Sequence, residues 1–150
     1  MFKQIIVVSL LVVCISGNLT GWRNCGSPFA DIHAVRVGGC PQTPCLFIQG
    51  ESYLIEFEAS SRVNTNSLNF VTVAQLLGVP ITVLEGNACN HLRQGSCPIL
   101  AGNRFTFSVL FEVPFYLPRI PNVITTRIWN DFGDEAICIQ FDVVVFGSHN

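Results

Sequence analysis

The chain has 150 residues, a formal net charge of −2 and 49% hydrophobic residues. Charged side chains make up only 12% of it, about half of the ~25% found in an average soluble protein. The length favours one domain, and the scarcity of basic residues argues against proteins that bind nucleic acid or anionic membrane surfaces through clustered Lys and Arg.

Residues 1–17 have the pattern of a secretory signal peptide. Lys3 gives a positive start, the run from Ile5 to Ile15 is almost entirely apolar, and Ser16-Gly17 supplies small residues for cleavage. The apolar run is too short for a membrane span, which needs ~20 residues. We therefore expect a secreted mature domain of residues 18–150 that contains no lysine.

The sequence pattern of the mature segment is typical of a succession of short strands. Apolar and polar residues alternate with a period of two, β-branched and aromatic residues are frequent, and Gly- and Asn-containing turns separate the runs. This pattern predicts strands at 31–37, 53–59, 68–76, 79–84, 105–111, 123–129 and 136–146. No run has a helical period, so we expect an all-β, two-sheet antiparallel sandwich.

The segment 111–121 breaks this alternation. Pro114, Pro118 and Pro121 exclude a central strand because each lacks a backbone donor, yet most other residues of the segment are apolar. Loops normally lie on the surface. Two interpretations stay open: the loop folds inward and closes one end of the sandwich, or it surrounds the mouth of an apolar pocket and touches a partner or a membrane.

The 12 phenylalanines exceed what a core of this size obviously needs. They favour an unusually aromatic core, an apolar partner surface or an internal apolar cavity. Alternation places Ile55, Phe57 and Phe141 on inward faces, and Phe70 is a further candidate.

Two interpretations of the orientation of Arg127 stay open. In register with Val123 and Trp129 it points inward, where its guanidinium would pair with a ligand carboxylate. A register shifted by one residue turns Ile124 and Ile128 inward and leaves Arg127 in water.

Seven cysteines become six once Cys14 leaves with the signal peptide. An even number in a secreted chain indicates three disulfides, for which 15 pairings exist. Two pairs are close in sequence and suit local loops, namely Cys40 with Cys45 and Cys89 with Cys97. No CxxC spacing is present, so we expect no zinc or other metal site.

Six short motifs occur in an order and spacing that resemble the ML-domain lipid-recognition family, in its Niemann–Pick type C2-like branch. They are Cys25-Gly26-Ser27, Cys40-Pro41 with Pro44-Cys45, Gly50 with Ser52-Tyr53, Gly78-Val79-Pro80, Cys89 through Cys97-Pro98-Ile99, and Trp129 ahead of Cys138. The resemblance covers the whole mature chain. It implies an immunoglobulin-like sandwich with an apolar cavity between its sheets, and the pairing Cys25–Cys138, Cys40–Cys45 and Cys89–Cys97.

The resemblance also implies a ligand site for a sterol, fatty acid or related lipid. Its lining positions fall on Val37, Val83, Phe105 and Phe107, where Val83 replaces a larger phenylalanine of the family. Its mouth loop falls on 113–120, which is about three residues longer here. Together with the inward positions from alternation, the predicted ligand-binding set is Val37, Ile55, Phe57, Phe70, Val83, Phe105, Phe107, Val113, Phe115, Tyr116, Ile120, Arg127, Trp129 and Phe141.

No enzyme motif is recognisable, and we expect neither catalysis nor a cofactor. His33, His91 and His149 are scattered along the chain, which lacks a GxSxG elbow, an HExxH helix motif and a glycine-rich phosphate loop. Asp131, Asp134 and Glu135 share one turn, which is more typical of a solvated hairpin tip than of a calcium site.

We therefore expect a secreted carrier that transfers an apolar ligand to a membrane or receptor, the 111–121 loop providing the contact. Two alternatives are a ligand-loaded adaptor that docks on a receptor in innate immune or chemosensory signalling, and an adhesion-type sandwich with a filled core. We expect an extracellular location rather than the endolysosomal lumen, because the only standard glycosylation sequon, Asn18-Leu19-Thr20, adjoins the cleavage site.

Overall fold

The computed structural model describes residues 17–148, so residues 1–16 of the expected signal peptide and His149 lie outside the described residues. Within that range the chain forms ten strands and one 3-10 helix. The strands are β1 (Arg23–Asn24), β2 (Ala30–Val37), β3 (Cys45–Ile48), β4 (Ser52–Ser61), β5 (Leu68–Leu76), β6 (Val79–Asn87), β7 (Leu92–Gln94), β8 (Arg104–Glu112), β9 (Pro121–Asn130) and β10 (Glu135–Phe146). The helix, Ala88–His91, connects β6 to β7.

The strands form two sheets, which confirms the predicted all-β sandwich. One sheet has the order β1-β10-β9-β5-β6, with β3 added in parallel to the end of β10, and the other has the order β2-β4-β8-β7. All seven predicted strands are present. The three that the sequence did not reveal, β1, β3 and β7, have two to four residues and are too short to show alternation.

Strand β8 shows how alternation builds the core. Phe105, Phe107 and Phe111 are buried on its inner face, whereas Leu110 is 61% exposed on its outer face. Phe107 lies opposite Phe57 of β4 in the register and reaches Phe70 of the other sheet, with ring centroids 4.9 Å apart. The core therefore lies between the two sheets and is largely aromatic.

Three disulfides tie this sandwich together, and they are the three that the resemblance implied. Cys25–Cys138 fastens the segment after β1 to β10 across 113 residues of chain, while Cys40–Cys45 and Cys89–Cys97 close short loops. In the chain-entropy model, closing a loop of that length stabilises the fold by ~4–5 kcal/mol.

The burial pattern of strand β9 decides between its two predicted registers. Ile124 and Ile128 are fully buried on the inner face, and Arg127 lies on the outer face with its Nε 3.2 Å from Oε1 of Glu135. The inward register for Arg127 and Trp129 is therefore wrong, and the shifted register is confirmed. Both faces of β9 carry apolar residues, so alternation alone did not distinguish them.

Candidate ligand site between the sheets

The predicted lining residues that the structure buries come from both sheets and face each other. They are Val37, Ile55, Phe57, Phe70, Phe105, Phe107, Val113 and Phe141, none more than 5% exposed. Their side chains bring only apolar surface to the interior. Such a surface stabilises apolar ligand contacts by ~25 cal/mol per Å² removed from water, before the costs of binding.

These side chains pack against one another across the interior. The Phe107 ring lies 5.6 Å from Phe57 and 4.9 Å from Phe70, measured between centroids. The His91 ring meets Phe70 edge-on at 5.4 Å and lies 6.2 Å from Phe107. Because these rings fill the interior, a ligand between the sheets would require them to rotate about their side-chain bonds.

Val83 occupies the edge of this interior. It lies on β6, the last strand of its sheet, is half-buried and packs against the core next to an irregularity in the β5–β6 pairing. A valine leaves more room there than the phenylalanine expected from the family pattern.

The loop 113–120 contains both buried and exposed apolar side chains. Val113 and Leu117 are fully buried and close the end of the core. Phe115, Tyr116 and Ile120 are 66%, 57% and 48% exposed. Half of the loop therefore seals the sandwich, and the other half presents apolar side chains to the surroundings.

Gln49 and Gly50 hold this loop in place. Gly50 belongs to one of the family motifs, whereas no sequence signal indicated the role of the Gln49 side chain. The buried Gln49 side-chain amide donates hydrogen bonds to the carbonyl oxygens of Phe115 (3.1 Å) and Leu117 (2.7 Å). Gly50 has a φ of +84°, and a Cβ there would lie 2.7 Å from the Phe115 ring. Only glycine fits that turn beneath the ring without displacing it.

A second apolar turn lies at the same end of the six-stranded sheet. Leu77 and Val79, in the β5–β6 turn, are 86% and 60% exposed. The turn is tied to the start of β9 because the Gln75 backbone N–H donates to Oδ1 of Asn122 at 2.9 Å. We define the apolar rim as five of the exposed side chains at this end: Leu77, Val79, Phe115, Tyr116 and Ile120.

The outer face of the four-stranded sheet has different chemistry. A cleft of about 330 Å³ there is lined in part by Arg36, Glu56 and Arg93. Glu56 lies between the two guanidinium groups, at 3.2 Å from Arg93 and 3.6 Å from Arg36. The hydrogen bond that Arg36 donates to Glu58 holds the pKa of the Glu58 carboxyl below its usual value.

The acidic turn has the geometry of a structural link. Asp131 accepts hydrogen bonds from the Thr65 hydroxyl (2.8 Å) and from Asn66, and the Thr65 bond is the largest cause of its lowered pKa. Glu135 pairs with Arg127. Among residues 17–148 no three His, Cys, Asp or Glu side chains gather as metal ligands would. That part of the chain also contains no helix long and apolar enough to cross a membrane.

Two known proteins are similar in sequence to this chain over most of its length. Mite group 2 allergen Der p 2 of Dermatophagoides pteronyssinus is 27% identical over 143 residues, which cover 93% of this chain and 94% of the allergen. NPC intracellular cholesterol transporter 2 of Canis lupus familiaris is 24% identical over 151 residues, with 96% and 99% coverage.

A solved structure shows the same fold. The crystal structure of a Niemann-Pick type C2 protein from the Japanese carpenter ant superposes with a TM-score of 0.73 at 18% identity, covering 83% of this chain and 98% of that one. The family model described as the ML domain matches residues 20–145. The chain belongs to the ML-domain family.

Proposed function

We propose that the protein is a secreted, non-enzymatic carrier that binds one apolar small molecule between its sheets and transfers it to a membrane or receptor. The ligand would be a sterol, a fatty acid or a related lipid. The mature carrier would be a single domain of residues 18–150, working in extracellular fluid.

One observation carries this proposal: the buried faces of both sheets are mostly apolar, and they end at a rim whose apolar side chains are exposed. Phe57, Phe107 and Phe70 supply the interior, and Phe115 and Tyr116 supply the rim. Its membership of the ML-domain family, which includes a protein named as a cholesterol transporter, supports the lipid class. Three disulfides suit an oxidising, extracellular compartment.

The test is mass spectrometry of an organic extract of the oxidised protein, followed by displacement of a fluorescent sterol and of a fluorescent fatty acid. We expect stoichiometric displacement of at least one probe. Displacement of the sterol would indicate a sterol carrier, and displacement of the fatty acid alone would indicate a carrier of linear chains. Absence of binding up to about 100 µM would contradict the proposal in favour of a filled adhesion-type sandwich.

The same rim also suits a second candidate, the receptor-docking adaptor, because exposed aromatic side chains are typical of protein interfaces. The two functions differ in whether the ligand-loaded protein releases its ligand. A carrier transfers its ligand to protein-free lipid vesicles, whereas an adaptor retains its ligand in their presence.

A further inference from the structure

Two threonines lie in the middle of the largely apolar inner face of the six-stranded sheet. Thr72 on β5 and Thr126 on β9 lie directly opposite each other in the register, and they are 1% and 2% exposed. Their hydroxyl oxygens are 2.8 Å apart. The next inward pair along these strands is Phe70 with Ile128, and Phe70 in turn contacts Phe107 of the opposite sheet. The pair therefore lies between the sheets, among apolar side chains.

The hydrogen bonding of this pair is incomplete. Each hydroxyl has one proton to donate and two lone pairs to accept with. Among the described residues each of the two hydroxyls bonds to the other alone, so only one of the two protons is used. The second proton then has no acceptor in the interior, where an unmade hydrogen bond is costly.

Two other polar residues buried on the inner face of this sheet, Asn122 and Asn130, already form hydrogen bonds with the backbone. Asn122 bonds to both backbone groups of Gln75, and Asn130 accepts from the N–H groups of Phe132 and Asp134. The threonine pair is therefore a fully buried point of this face that offers both a free donor and free acceptor lone pairs.

We propose that the Thr72–Thr126 pair holds the polar group of the ligand, and that this group is an uncharged oxygen function such as an alcohol or a carbonyl. This inference rests on the proposed carrier function. The ligand oxygen accepts the unused threonine proton, and an alcohol also donates to a remaining lone pair. The apolar remainder of the ligand then lies against Phe70 and Phe107.

Charge decides against an ionised head group. None of the seven arginines is buried, and Arg127, on the same strand as Thr126, pairs with Glu135 outside the sandwich. A carboxylate at the pair would therefore be buried without a counter-charge, which is far more costly than burying a neutral group that is hydrogen-bonded. The pair selects a neutral amphiphile over its ionised counterpart and over a plain hydrocarbon.

The experiment compares dodecanol with dodecane as competitors for a bound apolar fluorescent reporter, N-phenyl-1-naphthylamine, on the oxidised protein. The variants are Thr72→Val, Thr126→Val and the double variant, because valine has the shape of threonine and suits a strand. The matched control is Thr125→Val, which makes the same change at a buried neighbour on the opposite face. We expect the dodecanol-to-dodecane affinity ratio to fall about tenfold in the double variant, the effect of one hydrogen bond, and to stay unchanged in the control.

A second set guards against a folding defect. Thr72→Ser with Thr126→Ser keeps both hydroxyls and removes two methyl groups, so we expect it to retain the wild-type ratio. An unchanged ratio in the double valine variant, with both competitors still binding, would overturn the inference and leave the carrier function intact. Failure of the wild type to bind reporter, dodecanol and dodecane would overturn both.

Discussion

Buried residues on the two faces of the four-stranded sheet are stabilised by different interactions. On β4, Ile55 and Phe57 point inward and are buried, and the Phe57 ring packs against Phe107 of β8. Glu56, between them in sequence, points outward and is equally buried, but beneath two arginines. The inner face is stabilised by apolar packing, which a ligand bound at the proposed site would have to rearrange, and the outer face by ion pairs that lie outside that proposed site. Variants on the two faces should therefore separate stability from binding.

Phe107→Ala should have the largest effect because it removes the ring shared by both sheets. Phe107 is fully buried and touches Phe57 and Phe70, so we expect a loss of about 3–5 kcal/mol in the free energy of unfolding. Urea denaturation of the oxidised protein measures it. Leu110→Ala, on the outer face of the same strand, is the control, and we expect it to change stability by under about 1 kcal/mol. Equal losses in the two variants would contradict an aromatic core at Phe107.

Glu56→Ala tests the outer face and should cost less. It leaves Arg36 and Arg93 without their shared carboxylate, although Arg36 retains Glu58 at 2.8 Å. We expect a loss of about 1–3 kcal/mol in the free energy of unfolding, with apolar ligand affinity unchanged.

An exposed ion pair provides the control for that variant. Arg23 and Asp142 are 2.9 Å apart, but both side chains are nearly half exposed, so Asp142→Ala should cost about 0–1 kcal/mol. If Glu56→Ala were as mild as Asp142→Ala, burial of the outer carboxylate would contribute nothing. If it weakened ligand binding, the separation of the two faces would fail.

Sequence patterns predicted the buried face of some strands but not of others. Alternation in β4 identified Ile55 and Phe57 as inward, and Phe107 on β8 was assigned from the family resemblance. Alternation failed at β9, where Val123 and Ile124 are adjacent and both registers look apolar. The pairing of the cysteines came from the family resemblance.

The features that the sequence did not predict depend on contacts between segments distant in the chain. Gln49 is buried because it meets the carbonyls of a loop 66 residues away, and Thr72 meets Thr126 only after the sheet has formed. Neither residue is unusual in its local sequence, so no periodicity or motif marks it. The ligand-lining assignments of the remaining inner residues stay predictions.

The apolar rim is a third kind of surface, and Phe115→Ala should affect transfer more than stability. Phe115 is 66% exposed, so we expect the free energy of unfolding to change by under about 1 kcal/mol. We expect slower delivery of a fluorescent lipid to neutral vesicles, because less apolar surface enters the bilayer interface. Phe132→Ala is the control: Phe132 is 71% exposed in the β9–β10 turn, at the opposite end of β9 from the rim. Equal transfer rates in the two variants would remove the rim from the transfer step.

The smallest expected effect is at Asp131, whose ionised side chain joins two turns. Its pKa is lowered in the folded state, chiefly by the Thr65 hydroxyl. The stability it contributes is therefore present above the unfolded-state pKa of ~3.9 and is lost as the pH falls through the lower folded-state pKa. Asp131→Asn keeps one acceptor oxygen but cannot titrate. We expect its Tm to lie about 2 °C below wild type near pH 7, with the difference vanishing near pH 2. A difference that persisted at low pH would show that Asp131 acts through shape and not through its charge.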